Sequence, residues 1–318
     1  MNKTFASLTV VLLVVFMFAT ANVINEKEII FPEIAALGVG AWFIKNSPWC
    51  EKPLNLWLSP TFAALTGVVM LHFLPGSQEI LLECTFVLVV LQLCLLRSKV
   101  LPSISAAILP IVINADSLYY ILSVCILSGI IALGRRLLNQ FQVNDPSLLQ
   151  SLKEEPQQGW REIAMKWLIL FIGVTIVATI AFGFKWIYVI APPLIVTFVE
   201  FANPSGQLSQ RPIRLLGMIL AAALSGTLLF EMLHHRLYWP LWISAGSIVL
   251  WIFFLYRQFE LVFPPAMAIS LLPTIIPQDM LFFYPFQVTV GLIVFIIIGK
   301  IINISYPPKK LNNIHPSG

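Results

Sequence analysis

The sequence predicts an all-α, polytopic transmembrane bundle of about 12 helices, arranged as two parallel six-helix repeats. Three observations carry this expectation. Hydrophobic residues make up 58% of the 318-residue chain and charged residues only 11%, against about 25% charged residues in soluble domains. Apolar runs of membrane-spanning length recur along the chain, separated by short polar segments. Prolines and an aspartate recur at matching spacings in the two halves.

The apolar runs are 4–22, 31–45, 54–74, 80–96, 100–114 and 118–138, then 167–184, 187–202, 213–233, 237–256, 261–276 and 284–302. All are expected to be helical, because exposed backbone groups go unsatisfied in hydrocarbon and no barrel-like alternation is present. The first run has signal-peptide features in Lys3, an apolar core and Ala19-Thr20-Ala21. A comparable segment opens the second half at Lys166, where no signal peptidase acts, so the first run is expected to stay as a helix. Runs 31–45 and 100–114 are shorter than the usual span of about 20 residues, and each contains or begins with proline. The only long polar stretch, 139–165, carries Asp145-Pro146 and Lys153-Glu154-Glu155-Pro156. It divides the chain into a first membrane repeat (1–138), a cytoplasmic linker with a short surface helix expected at Ser147–Glu155, and a second membrane repeat (166–318).

Lysine and arginine set the orientation, since cytoplasmic loops are enriched in them. With the N-terminus inside and every run crossing, all of the 19 Lys and Arg residues except Lys27, Lys185 and Arg236 fall on the cytoplasmic side. Both termini are therefore expected in the cytoplasm, and the compact loops suit a bacterial cell membrane. Trp186, Tyr188, Tyr238 and Trp239 fall at outer boundaries, while Trp160 and Trp167 bracket an inner one.

The repeat is visible in two places. Pro53-Leu54-Asn55 through Leu65-Thr66-Gly67 aligns without gaps onto Pro212-Ile213-Arg214 through Leu224-Ser225-Gly226. Pro102, Pro110 and Asp116 keep the spacing of Pro265, Pro273 and Asp279, and Arg97 is paralleled by Arg257. Six crossings per unit is an even number, so the second copy enters in the same orientation as the first. Short, proline-interrupted segments at matching positions point to a binding site in such proteins. The candidates are 31–45 and 100–114, with counterparts 187–202 and 261–276. The competing reading is that these prolines only kink or cap packed helices. The small residues Ala63, Ala64 and Gly67, with Ala221 to Ala223, Ser225 and Gly226, suit close helix packing.

Residues 190–302 resemble the HPP family of integral membrane proteins. The resemblance rests on Ala191-Pro192, Asn203-Pro204-Ser205, Gln210, Pro212, Arg214 and Gly217, then Phe263-Pro264-Pro265-Ala266-Met267-Ala268 and Pro273. Phe263 stands where the family's His-Pro-Pro motif has its histidine, so a chemical role of that histidine is not reproduced here. Family members are usually a single unit, whereas this chain reads as two fused units. Some plant and cyanobacterial members are linked to nitrite transport, so the resemblance implies a small anion as substrate.

The candidate substrate-binding residues are Pro102, Pro110, Glu200, Asn203, Arg211, Arg214, Pro264, Pro265 and Pro273. Glu200 lies near the inner end of its run, where a helix C-terminus disfavours a carboxylate, so a partner is expected in Arg211 or Arg214. Glu33 follows Pro32 and suits ordinary helix-start chemistry. Asp116 and Asp279 suit N-caps, Glu83 suits an outward-reaching side chain, and His234-His235 suits a solvated outer loop. The four cysteines lack CxxC or CxxH spacing, so neither a metal site nor a disulfide framework is indicated, and no cofactor is expected. No HExxH, GxSxG or paired intramembrane aspartate pattern points to an enzyme, and no basic arm points to nucleic acid. The expected function is transport of a small solute, preferably an anion, between the proline-broken helices of the two repeats. The alternative is a non-transporting membrane scaffold or assembly factor that docks through 139–165. The expected partners are the lipid bilayer and the solute, and a homo-oligomer is compatible with the architecture.

Overall fold

The computed structural model describes residues 3–44, 47–50, 52–141, 160–203 and 208–305, and the described residues contain no strand. They form α1 (Lys3–Ile24), α2 (Glu33–Gly38), α3 (Pro53–Phe73), α4 (Gln78–Leu95), α5 (Pro102–Ile113) and α6 (Leu118–Phe141). The second half follows with α7 (Trp160–Gly183), α8 (Pro192–Phe201), α9 (Pro212–Phe230), α10 (Leu241–Gln258), α11 (Pro264–Leu271) and α12 (Tyr284–Ser305). The all-α, polytopic bundle is as expected. The surface helix expected at Ser147–Glu155 lies outside the described residues.

Among the described residues, eight helices are long and apolar enough to cross a membrane: α1, α3, α4, α6, α7, α9, α10 and α12. The other four are shorter than their apolar runs, and proline explains where three of them start. A proline lacks the N–H that a helix interior needs and is tolerated only in the first turn. Pro102, Pro192-Pro193 and Pro264-Pro265 each sit at the first or second helical position of α5, α8 and α11. Run 187–202 is accordingly split into a 3-10 turn (Ile187–Ile190), an extended Ala191 and then α8. Run 261–276 keeps α-helix only over 264–271, with Pro273 in the 3-10 turn that follows. At the other extreme α7 begins at Trp160, well before the apolar run, because the polar turn Trp160-Arg161-Glu162 is helical too.

Polar contacts pair the loop ends and fix how the chain runs. At one end of the bundle Ser117 N–H donates to Glu28 Oε2 at 2.9 Å, and Gln78 Nε2 donates to Ile111 O at 3.2 Å. At the other, Asn55 Nδ2 donates to Leu96 O at 3.3 Å, and Arg135 Nη1 donates to Ala41 O at 3.0 Å. Each of the six segments of the first half therefore carries the chain from one end to the other, α2 with the π turn Val39–Phe43 included. The second half repeats this. Tyr188 N–H donates to Gln287 Oε1 at 3.0 Å at one end, while Arg214 meets Glu260 at 3.5 Å at the other. The end that holds Arg97, Arg135, Arg214 and Arg257 is called the basic end below.

The same pairs of helices meet in each half. α3 packs on α4, α5 and α6 as α9 packs on α10, α11 and α12. Across the halves, α1 packs on α10 as α4 packs on α7, and α2 packs on α11 as α5 packs on α8. The small residues of α3 and α9 make close backbone approaches. A Cβ on Gly67 would lie 2.1 Å from Ala107 O, and one on Gly226 would lie 2.3 Å from Ser270 O. These two contacts occupy equivalent positions in the two repeats. The backbone also corrects one expected equivalence. Arg97 (φ 47°) and Glu260 (φ 48°) both end their helices in the left-handed conformation, so Glu260, not Arg257, is the counterpart of Arg97. The bonds Ser98 N–H to Leu93 O and Leu261 N–H to Tyr256 O close both ends alike.

Candidate functional site

The four short helices form a ring at the centre of the bundle: α2 on α5, α5 on α8, α8 on α11 and α11 on α2. All of α11 is buried, as are Pro102 to Val112 of α5. Ring helices of this length cannot reach across a hydrocarbon core of about 30 Å by themselves, since a helix rises about 1.5 Å per residue. Their ends therefore fall within the depth of the bundle, covered by the long helices on every side.

Two of the candidate prolines have a defined physical effect. Pro110 lies inside α5 and has no N–H to give to Ala106 O one turn back. That carbonyl is instead taken by the buried Tyr120 hydroxyl of α6, at 2.7 Å. Pro273 stands in the same relation to Ile269 O, and the Tyr284 hydroxyl of α12 donates to that carbonyl, also at 2.7 Å. Each half thus uses a proline to free one carbonyl and a tyrosine to satisfy it, as a buried backbone group requires. Phe31 packs edge-on against Tyr120, with centroids 5.9 Å apart, as Tyr188 does against Tyr284 at 5.5 Å. The tyrosines were missed in the sequence, although "LYY" after Asp116 and "LFFY" after Asp279 place both at the start of the last helix of their repeat.

Pro102, Pro264 and Pro265 are buried helix starts rather than kinks. Phe263 is 1% exposed and extended (φ −130°, ψ 98°), the conformation that a following proline imposes. Its carbonyl accepts from the Tyr256 hydroxyl at 2.8 Å. These residues position α11.

Glu33 takes the first turn of α2, where the helix-start reading put it, but it is only 1% exposed and faces the centre of the ring. The Ser105 hydroxyl of α5 donates to its Oε1 at 2.5 Å, whereas Oε2 has no hydrogen-bond partner among the described residues. The carboxyl lies within electrostatic reach of both the Tyr120 and Tyr284 hydroxyls. The repeat does not copy it: the position after Pro192 is Pro193, and the counterpart of Ser105 is Ala268.

The remaining candidates gather apart from the ring, at the basic end of the second half. Glu200 is half-buried at the end of α8, Asn203 is exposed just beyond it, and Arg211 and Arg214 are exposed at the start of α9. Of the two partners expected for Glu200, Arg211 and Arg214, the second meets Glu260 instead, because α9 begins beside the end of α10. Both partners are largely solvated, so this pair contributes little. The N-cap expectations also change. The amide at the start of α6 is taken by Glu28, and Asp279 sits inside the 3-10 turn 278–280. His234 bonds Trp239 O at 2.9 Å and stacks on Phe230, in a π turn that prolongs α9. No group of three or more His, Cys, Asp or Glu among the described residues could hold a metal ion.

Residues 155–310 match the family described as HPP, transmembrane region. The second half of the chain is an HPP transmembrane region, carried by a multi-pass membrane protein. The HPP match reaches further upstream than the resemblance over 190–302, and it takes in the whole of α7 to α12. Within this HPP region lie α8 and α11 of the ring and all four polar candidates at the basic end. Glu33 and Ser105 lie outside it, in the first half. No curated protein and no solved structure matches this chain.

Proposed function

We propose that this protein moves a small solute across the membrane through the ring of α2, α5, α8 and α11. The observation that carries the reading is the ring itself: four short helices, three of them opened by proline, buried between two similarly packed halves. Helices that begin within the membrane's depth place backbone donors and acceptors where a solute can use them, and paired segments of this kind mark the sites of repeat-built transporters. A small anion is the proposed solute class, on the strength of the HPP resemblance. Arginines at the basic end would draw anions there. The proposed topology places that end and both termini in the cytoplasm.

One observation favours the scaffold reading instead. The ring helices are buried among protein side chains, and a groove of about 860 Å³ opens instead at the periphery beside Lys185, Phe282 and Phe286. Flux of nitrite, nitrate, formate and chloride into proteoliposomes, followed with an internal pH-sensitive dye, separates the two. Saturable, protein-dependent flux is expected. Folded protein that moves none of these anions would put the scaffold reading first.

A further inference from the structure

The centre of the bundle combines an acid with an absence of counter-charge. α5 and α11, which flank Glu33, contain no ionisable residue. α1 contributes only Lys3, which lies at the basic end with its Nζ 5.9 Å over the Phe43 ring. α6 offers Tyr120 nearby and Arg135 and Arg136 at the basic end, with Arg135 on Ala41 O. α12 offers Tyr284 nearby and Lys300 towards the same basic end. Both tyrosine hydroxyls are committed to carbonyls of the ring, Ala106 O and Ile269 O. An ionised carboxylate here would have one serine hydroxyl and its own backbone N–H, with no cation, to replace its hydration shell, a state that costs several kcal/mol in a low-dielectric interior. The neutral acid has no such cost, and its O–H can turn to the unpartnered Oε2 side. An intramembrane carboxyl of this kind is a recurrent feature of proton relays.

The geometry points to Glu33 as a proton-binding site at the centre of the ring, whose proton crosses together with the transported solute. The coupling rests on the transport reading above; the proton site does not. A negatively charged Glu33 would repel an anion in the ring, whereas the protonated acid removes that repulsion and offers a donor. The acid takes its proton from water on one side and returns it to water on the other, and only the O–H bond is made and broken. Since Pro193 and Ala268 stand where the repeat would copy Glu33 and Ser105, each chain holds one such site, within the ring.

The test uses the full chain in lipid vesicles. Infrared spectra of wild type minus Glu33→Gln are expected to contain the carbonyl band of a protonated carboxyl at neutral pH, and that band is expected to disappear as the pH is raised. Ser105→Ala keeps the carboxyl but removes its hydrogen bond, so the band is expected to survive at higher frequency. No protonated-carboxyl band at neutral pH in folded wild type, or one that Glu33→Gln leaves in place, overturns the proton site. In the second arm a nitrate gradient is imposed, and nitrate uptake and internal pH are read separately. Wild type is expected to acidify the vesicle interior with uptake, and Glu33→Gln to lose the acidification. Full acidification by Glu33→Gln overturns the coupling. A wild type that moves none of the tested anions overturns both the transport reading and the coupling, while the infrared band still decides the proton site.

Discussion

At the scale of single residues, two glycines and two tyrosines hold the halves in shape. Gly67 and Gly226 let α3 and α9 approach the backbones of α5 and α11 so closely that a methyl group has nowhere to go. Gly67→Ala and Gly226→Ala are each expected to lower the thermal midpoint by a similar amount, a loss of about 1–3 kcal/mol from overpacking. Melting of the detergent-solubilised protein checks this, and the match between the two sites is the more demanding part. Tyr120→Phe should leave Ala106 O without a donor inside the bundle, at about 1–3 kcal/mol. Pro110→Ala restores an N–H to that carbonyl, so the double variant is expected to regain much of the loss. A strictly additive double-mutant cycle would show that tyrosine and proline do not share the carbonyl. The prolines were legible as a pattern in the sequence. Their tyrosine partners were not, because the bond joins two helices and no spacing along one helix announces it.

At the scale of elements, the sequence places the twelve α-helices of the described residues but overstates the short ones. Hydropathy registers apolar residues whether or not their backbone is helical, so 187–202 and 261–276 read as continuous spans. In the structure each is a short helix flanked by a 3-10 turn. Burial explains the agreement in hydropathy: these segments touch protein on all sides, so every position can be apolar. It also explains why charge was misjudged. Glu33 looks like any acid in a first helical turn, and only the packing of α2 against α5 and α11 shows that the turn lies inside the bundle. Pro102 and Pro265 sit where a helix lacks N–H partners anyway. Pro102→Ala and Pro265→Ala are therefore expected to leave helicity by circular dichroism unchanged and the thermal midpoint within a few degrees of wild type. Marked straightening or loss of folding would mean that these prolines shape the ring, as the sequence alone suggested.

At the scale of the whole molecule, the duplication seen in fragments of sequence extends to the packing plan. Matching pairs of helices meet within and between the halves, down to the left-handed helix ends at Asn25 and Lys185 and at Arg97 and Glu260. The sequence carried the orientation signal in its lysines and arginines, and a labelling experiment can test it. Single cysteines at Lys27 and Lys185 are expected to react with a membrane-impermeant thiol reagent from outside intact cells. Cysteines at Arg97 and Arg257 are expected to react only after lysis. The reverse pattern would invert the protein. What the sequence could not convey is the exchange of outer walls. α1 lies against α10 and α4 against α7, with Val15 pressed on Gly246 and Phe86 stacked near Phe171. Such contacts join residues too far apart in the chain for any periodicity to link them.

That exchange has a consequence for how the protein is made. Helix α1 finds its main partner only when Leu241–Gln258 follows it into the membrane. Until then the face that carries Val11 and Val15 waits among lipids or on a helper, because helices that have inserted still have to find their mates. A chain that stops after α6 is therefore expected to be inserted yet unfinished, and to be cleared faster than the chain that continues through α12 in a pulse–chase experiment.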